Sequence, residues 1–500
     1  MVSQQKIVAE KLTQQELEQT LWKAADILRG AVRPERYGTY MFPLLFFKRL
    51  SDVWTEEFED ALRKYKNKEA AQQKFVHRFT IPEGCFWSDI RKESKNPGQR
   101  LNTVLEKIAK SNPELDGVIN RTDFNQQQEI PQDRLIKLIE HFSPQTLGNS
   151  NVPPDVLGNA YEYLLKQFNE LAPKRAGEFY TPREIVRVMV QILNPTEGEE
   201  IYDPCCGSGG MLIFSYYHLA SQGKDPKKLF LYGTELNAET WAMARMNVAL
   251  HGLEAEIKQG DTLADPKFLE GSGLKKFDIA ITNPMWNQKG YREVIENDRF
   301  GRFPYGTPPD GAADWGWIQH MLASLKPNGR MGIVLDQGAL FRGSAEDQIR
   351  KKIIEEDLIE CVVALPGKIF YNTGSPGCLI FLNKNKTKDR KNKVLLIYAA
   401  KDFESLKKIN RLRDEDIERI VKTMRDFKDV TKHASVVSLD RLRDTENNYD
   451  LNVIRYVDVF EEEPPIDIPQ VLDDLEGLES ERQEIERRLA AFLKELGYDR

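Results

Sequence analysis

Four short apolar segments in the middle of the chain constrain its fold most strongly, because each is followed by a glycine loop, an acid or an amide. The segments lie at residues 201–202, 229–232, 255–258 and 278–282. Apolar runs of this length, separated by helical patterns, predict parallel strands of an open α/β sheet. Such sheets bind ligands at the carboxyl ends of their strands, so we expect the polar residues after the four strands to line one groove.

The first strand runs into the sequence Asp-Pro-Cys-Cys-Gly-Ser-Gly-Gly, residues 203–210. Glycines at positions 207, 209 and 210 let the backbone turn sharply and let a ligand approach it closely, before a helix predicted over residues 212–220. The loop is not the dinucleotide-binding fingerprint, because the third glycine of G-x-G-x-x-G is missing. It therefore predicts close contact between backbone and ligand without identifying the ligand.

An acid follows each of the next two strands. Glu235 comes shortly after the second strand, where a carboxylate can bind the hydroxyls of a ribose, and Asp261 follows the third in the sequence Gln-Gly-Asp-Thr. A glycine loop, two acids and an amide thus succeed one another at the ends of four strands. This order predicts a ligand groove along one edge of the sheet.

The fourth strand ends in Asn283-Pro284-Met285-Trp286. An amide oxygen and a backbone carbonyl can both accept hydrogen bonds from an amino group on a planar ring, and an aromatic side chain can stack on such a ring. The alternative interpretation is a strand followed by a tight turn without a chemical role. The groove predicted upstream favours the functional interpretation.

A further candidate segment lies before the first strand, at residues 178–183 with the sequence Glu-Phe-Tyr-Thr-Pro-Arg. Pro182 stands at the start of a helix predicted over residues 185–193, where its missing N–H costs nothing. Tyr180 and Thr181 lie at the N-terminus of that helix, beside free backbone donors suited to a carboxylate. Taken alone, the segment also fits a loop with a helix cap.

The regions on either side of the α/β pattern are predicted to be helical. Thr13 and Glu16 have the spacing of a capping box, and the apolar stretch over residues 40–50 predicts a core helix, with an interface helix as the alternative. An amphipathic helix over residues 155–165 begins the next domain. We predict three parts: a helical domain over residues 1–154, an α/β catalytic domain over residues 155–405 and a helical region over residues 406–500.

Two loops allow more than one interpretation. Residues 287–313 have no clear periodicity and are rich in glycine, proline, arginine and aromatic residues. Long loops of this kind are substrate clamps or segments that order only on binding. The basic run over residues 384–393 is predicted to be a solvated hairpin connection to a strand at residues 394–398, with a phosphate contact as the alternative.

The end of the chain carries a regular apolar seam. Its residues recur with the alternating four- and three-residue spacing of a coiled coil, and Arg482 is the single charged residue in the series. The apolar members are Val471, Leu475, Leu478, Ile485, Leu489, Phe492 and Leu496. We expect this seam to bind a partner helix, from another subunit or from the chain itself.

Composition limits what such a protein binds. The net charge of −7 argues against a chain that binds DNA along its whole surface. Any nucleic-acid contact must therefore be local or shared with a partner. No apolar run is long enough to cross a membrane, and the five scattered cysteines lack zinc-ligand spacing. We expect a cytoplasmic protein with neither a membrane contact nor a metal site.

The order of these motifs resembles the modification subunits of Type I restriction–modification systems, which are DNA adenine-N6 methyltransferases. The resemblance extends to residues 44–51 and to residues 370–382, and so covers most of the chain. Two departures are visible: the usual Asn-Pro-Pro-Phe is Asn-Pro-Met-Trp here, and Cys205 and Cys206 are adjacent in the glycine loop. The implied fold is a Rossmann-like S-adenosylmethionine-dependent methyltransferase domain, with an N-terminal helical domain and a C-terminal helical tail.

The resemblance also implies a role for each motif residue. Asn283, Pro284 and Trp286 would be catalytic: the Asn283 amide oxygen and the Pro284 carbonyl would accept the N6 hydrogens of a flipped-out adenine, and Trp286 would stack on that base. S-adenosylmethionine would be the cofactor, with its ribose on Glu235 and its adenine on Asp261. The implied cofactor-binding residues are Glu178, Phe179, Tyr180, Thr181, Pro182, Arg183, Asp203, Gly207, Ser208, Gly209, Gly210, Glu235 and Asp261.

The partners follow from the same resemblance. Double-stranded DNA would be the substrate, and a separate specificity subunit, whose helices pair with the helical tail, would read its sequence. A second modification subunit would complete the methylase, and restriction subunits can join it. Two alternatives stay open: an inactive cofactor-binding scaffold, and an amino-methyltransferase that acts on cytosine N4, on RNA or on protein glutamine.

Overall fold

The structure is a computed structural model that describes residues 12–93, 95–171, 181–370, 373–407, 409–460 and 468–498. Within these ranges the chain forms two compact units, which divide after Val457. Among the described helices, none is long and apolar enough to span a membrane.

The N-terminal part is helical, as predicted. Its helices are α1 (Gln14–Leu28), α2 (Tyr37–Tyr65), α3 (Lys68–Ala71), α4 (Trp87–Arg91), α5 (Pro97–Ser111), α6 (Gln132–Phe142) and α7 (Pro154–Leu171). α1 begins at the predicted capping box, where the Glu16 carboxylate accepts a hydrogen bond from Thr13 N over 2.9 Å. Every side chain of α2 from Tyr40 to Ser51 is buried, so this stretch is a packed core.

The rest of the first unit alternates strands with helices. Its helices are α8 (Arg183–Leu193), α9 (Gly210–Ser221), α10 (Ala238–Leu250), α11 (Arg292–Glu296), α12 (Asp314–Ala323), α13 (Ala345–Glu355), α14 (Asp414–Asp426) and α15 (Leu439–Arg443). Its strands are β1 (Glu200–Asp203), β2 (Phe230–Glu235), β3 (Glu256–Gln259), β4 (Leu269–Glu270), β5 (Gly273–Leu274), β6 (Phe277–Thr282), β7 (Leu325–Asp336), β8 (Ile359–Ala364), β9 (Gly377–Asn383), β10 (Lys393–Tyr398), β11 (Glu404–Ser405), β12 (Asn410–Arg411) and β13 (Ala434–Ser438). The four strands predicted before the groove overlap β1, β2, β3 and β6.

Strand order explains where a ligand can bind. Among the described residues the main sheet has nine strands, in the order β13-β10-β8-β9-β7-β6-β1-β2-β3. β1 pairs in parallel with β2 on one side and with β6 on the other. The chain therefore reverses direction across the sheet at β1, and open α/β sheets bind ligands at the strand ends of such a switch point. The predicted α/β fold with an N-terminal helical region is confirmed.

One predicted strand connection is wrong. The basic run was expected to close a hairpin, but β8 lies between β9 and β10 and pairs with both. Lys386 of the run lies 2.6 Å from Asp357 Oδ1, and Arg390 lies 3.1 Å from Glu360 Oε1. The run therefore crosses the start of β8, where acids neutralise two of its charges, and returns on the far side of that strand.

The sheet also extends beyond residue 405. β13 pairs antiparallel with β10, and α14 adds Ile417 and Ile420 to the apolar cluster that the sheet shares. The division of the chain into three domains at residues 154/155 and 405/406 stays a prediction.

The loop over residues 287–313 is organised around a buried arginine. Arg302 is only 2% exposed, and its guanidinium donates to Thr262 O over 3.0 Å and to Leu263 O over 2.6 Å. Its Nε also donates to Asp298 Oδ1 over 2.7 Å. These hydrogen bonds attach the loop to the turn that follows β3.

The second unit contains the predicted tail helix, α16 (Ile468–Glu495). Its apolar seam is exposed throughout, from 43% at Val471 to 71% at Leu496. Arg482, the charged member, pairs with Glu479 at 2.6 Å and with Glu486 at 3.2 Å. The charge in the seam is therefore neutralised by acids of the same helix.

Candidate functional site

The ends of β1 and β6 lie side by side at the switch point, and a hydrogen bond joins them. Thr282, the last residue of β6, donates its hydroxyl to Asp203 Oδ1 at the end of β1 over 2.7 Å. The same oxygen accepts from Cys205 N over 3.1 Å. Burial raises the pKa of Asp203 to about 7, although both hydrogen bonds act in the opposite direction. This bridge fixes the start of the glycine loop relative to Asn283.

The glycine loop turns through two glycines in the left-handed region, Gly207 at φ 53° and Gly209 at φ 82°. Gly209 is also the N-cap of α9. Gly207 N donates to Glu235 Oε2 over 3.0 Å, and Ser208 O accepts from Asn247 Nδ2 over 2.9 Å. The loop is therefore anchored both to the end of β2 and to α10.

Backbone donors hold the two predicted acids at the strand ends. Glu235 Oε1 accepts from Asn237 N over 2.8 Å. Asp261 Oδ1 accepts from two backbone N–H groups of the following turn, each at 3.0 Å, and its Oδ2 accepts from the Tyr291 hydroxyl over 2.8 Å. Tyr291 belongs to the loop over residues 287–313, so this loop reaches the carboxylate that follows β3.

Two side chains hold the carboxamide of Asn283. Its Nδ2 donates to Thr181 Oγ1 over 2.9 Å, and its Oδ1 accepts from Trp286 Nε1 over 3.1 Å. The Trp286 ring packs edge-on against Phe370, with the ring centroids 4.8 Å apart. Thr181 therefore connects the segment before α8 to the amide that follows β6.

A cavity of about 450 Å³ lies at these strand ends, a volume that suits a small-molecule ligand. The predicted site residues that line it are Thr181, Arg183, Asp203, Gly207, Ser208, Gly210, Glu235, Asp261 and Asn283. Within the described part of the chain, four predicted residues do not line the cavity, although each is adjacent in sequence to a residue that does: Pro182, Gly209, Pro284 and Trp286. Three more lie outside the described residues: Glu178, Phe179 and Tyr180.

One wall of this cavity comes from the helical N-terminal part, which sequence reasoning did not predict. The residues of this wall are Pro34, Glu35, Gly38, Thr39 and Phe42. Arg36 fastens the wall, because its guanidinium lies 2.9 Å from Glu129 of the helical part and 3.1 Å from Glu239 of α10. Both parts of the first unit therefore enclose the cavity.

Glu162 of α7 is a second residue that sequence reasoning missed. It lines the cavity, is only 5% exposed, and lies 3.1 Å from Arg183 Nη2 and 3.7 Å from His251 Nε2. Burial raises the pKa of the Glu162 carboxyl and lowers the pKa of His251 to about 3, so the imidazole is neutral. The available signal was an acid directly after Tyr161, inside an amphipathic helix. Glu162 orients Arg183 at the cavity.

Comparison with known proteins agrees with this arrangement. The N-6 DNA Methylase family matches residues 152–464, and the HsdM N-terminal domain family matches residues 17–142. The Type I restriction enzyme MjaVIII methylase subunit of Methanocaldococcus jannaschii is 35% identical, over 97% of this chain and 86% of its own length. The HindI methylase subunit of Haemophilus influenzae is 33% identical, over 80% of this chain and 92% of its own length.

A solved structure extends the similarity to the fold. The Type I restriction–modification methyltransferase subunit of Streptococcus thermophilus has a TM-score of 0.78 and 29% identity, over 90% of this chain and all of that one. The fold and the strand-end motifs together define an α/β methyltransferase. The chain belongs to the N-6 DNA methylase family, and it is the modification subunit of a Type I restriction–modification system, an adenine-specific DNA methyltransferase.

The buried carboxyl of Asp203 predicts a pH-dependent stability. Its pKa rises on folding from 3.8 to about 7, so between these values the folded state keeps a proton that the unfolded state has lost. The contribution of Asp203 to the free energy of unfolding therefore falls as the pH rises through this window, by about 1.4 kcal/mol per pH unit, and Asp203→Asn removes this contribution. Urea unfolding of both proteins from about pH 5 to about pH 8 measures the difference.

The matched control is Asp440→Asn, at a side chain that is 91% exposed. We expect it to change the free energy of unfolding by less than about 0.5 kcal/mol at each pH. Equal pH slopes for the wild type and for Asp203→Asn would contradict a protonated Asp203 in the folded state.

Proposed function

We propose that the chain transfers a methyl group from S-adenosylmethionine to N6 of an adenine that is flipped out of double-stranded DNA. One observation carries the proposal: the Asn283 amide lines the same cavity as Gly207, Glu235 and Asp261. Direct transfer requires the methyl donor and the target nitrogen to meet in one enclosed space, because positioning supplies most of the rate.

The residues of the cavity fit S-adenosylmethionine. The backbone at Gly207 is open, since a Cβ at this position would have no neighbour within 4 Å, and a ligand can approach the loop closely. Glu235 would bind the ribose hydroxyls, and Asp261 would accept from the adenine amino group. Arg183, oriented by Glu162, would bind the methionine carboxylate. When bound, S-adenosylmethionine supplies an electrophilic methyl group on its sulfonium.

The target adenine would enter the same cavity at Asn283. A base inside a duplex is inaccessible, so it must leave the stack, at a cost of a few kcal/mol. Asn283 Oδ1 and the Pro284 carbonyl then accept its two N6 hydrogens, which directs the nitrogen lone pair towards the methyl group. Trp286 stacks on the base, and contacts of this kind stabilise binding by about 1–3 kcal/mol.

We further propose that a separate specificity subunit reads the DNA sequence and binds the seam of α16. The exposed heptad supports this, because an apolar seam on a long helix requires a partner helix. The net charge of −7 also favours a partner that supplies much of the contact with DNA. A second modification subunit completes the methylase, restriction subunits can join it, and the complex works on DNA in the cytoplasm.

Transfer of labelled methyl from S-adenosylmethionine to unmethylated duplex DNA tests the proposed reaction. Nucleoside analysis should show N6-methyladenine when the specificity subunit is present, and not when it is absent. Asn283→Ala should lower transfer at least about 100-fold, because the amino group loses its main acceptor. Asn125→Ala, at an exposed amide of the helical part, is the matched control and should act like the wild type.

Three results would contradict parts of this proposal. Label in cytosine, in RNA or in protein would keep the methyltransferase and overturn the substrate. Transfer to adenine without the specificity subunit would overturn the assignment of DNA recognition to that subunit. Cofactor binding without transfer to any substrate would favour the inactive scaffold.

The seam of α16 makes a separate prediction about assembly. Leu478→Glu combined with Ile485→Glu places two charges in the middle of the seam, so affinity for the specificity subunit should fall at least about 100-fold. Ser480→Glu, two positions after Leu478 and outside the seam, is the matched control. Calorimetric titration of the purified subunits measures both. Wild-type affinity in the double variant would contradict docking through this seam.

A further inference from the structure

We propose that Thr181 and the indole N–H of Trp286 are positioning groups that fix the Asn283 carboxamide with its oxygen turned towards the target amino group. This inference rests on the proposed function and assigns Trp286 a second role beside stacking. It also gives Thr181 a role in orienting the target group, in addition to its place beside the cofactor.

The chemistry of the two contacts determines the orientation of the amide. An indole N–H can only donate, so the Asn283 atom that lies 3.1 Å from Trp286 Nε1 must be the oxygen. The opposite end is then Nδ2, and Thr181 Oγ1 accepts its hydrogen over 2.9 Å. A reversed amide would set two donors against each other at Trp286. The indole selects the orientation, and the threonine hydroxyl tethers the far end.

The fixed amide keeps the acceptor that the reaction needs. An amide oxygen has two lone pairs, so the bond from Trp286 leaves one for an amino hydrogen of the substrate. Asn283 is only 8% exposed, so water has little access to replace a lost partner. Loss of the indole donor would leave a buried amide that turns between two orientations, one of which presents NH₂ to the substrate. Loss of the threonine acceptor would leave Nδ2 without its partner and that end of the amide untethered.

The hydrogen bond to Asn283 depends on the tryptophan that this chain carries at position 286. A phenylalanine at position 286, as in the usual Asn-Pro-Pro-Phe, would stack but could not donate to Asn283. The Trp286 ring is held in turn by Phe370, which meets it edge-on at an interplanar angle of 77°. Because Thr181 directly precedes Pro182 at the start of α8, the same network joins the cofactor segment to the target amide.

A double-mutant cycle in the complete methylase tests the proposal. Thr181→Val removes the acceptor and Trp286→Phe removes the donor, and each should lower kcat about tenfold, with the KM for S-adenosylmethionine changed less than about threefold. Both anchors act on one amide, so the double variant should lose about 10- to 30-fold rather than the product of about 100-fold. Thr181→Ser restores the hydroxyl and should recover most of the lost kcat.

The control is Thr55→Val in α2, an exposed threonine whose hydroxyl donates to Ser51 O, and it should keep wild-type kcat. A multiplicative loss in the double variant would overturn the proposal, as would a Thr181→Val enzyme that changes KM alone. If Trp286→Phe does not fold, the two Thr181 variants decide. Wild-type kcat in Thr181→Val would overturn the proposal, and so would a Thr181→Ser variant that fails to recover kcat. A wild type that methylates no adenine would overturn the proposed function itself, and this inference with it.

Discussion

The parallel pairing of β1 with β6 is the constraint on which the whole site depends. The chain order reverses between these strands, which leaves a crevice at their carboxyl ends. The hydrogen bond from Thr282 to Asp203 spans the strand ends beside this crevice, so the glycine loop and Asn283 keep a fixed separation. Both strands are short and buried, and their register therefore sets the distance between the glycine loop and Asn283.

The two carboxyl groups buried around the cavity, Asp203 and Glu162, serve orientation rather than stability. Burial raises the pKa of both Asp203 and Glu162, which means that folding disfavours their ionised forms. Each nevertheless holds a neighbour that lines the cavity: Asp203 accepts from the backbone of the glycine loop, and Glu162 pairs with Arg183. Buried groups with pKa values shifted in this way are typical of functional sites.

Local sequence patterns predicted the sheet and the order of its motifs, because a buried strand and the polar residue that follows it are close together in the sequence. Contacts between distant segments were not predictable in this way. The wall that Glu35 and Thr39 contribute depends on how the helical part packs against α10, and the Thr181–Asn283 bond joins side chains 102 residues apart. The expected hairpin was wrong for a related reason: nothing local in the basic run indicates that β8 lies between its flanking strands.

An experimental structure of the complete methylase, bound to S-adenosylhomocysteine and to a duplex that contains its target adenine, would test the proposed site directly. We expect the cofactor product to lie against Glu235 and Asp261, with the extruded adenine N6 within about 3 Å of both Asn283 Oδ1 and the Pro284 carbonyl. An adenine that stays stacked in the duplex, or a base whose amino group meets neither acceptor, would contradict the proposal.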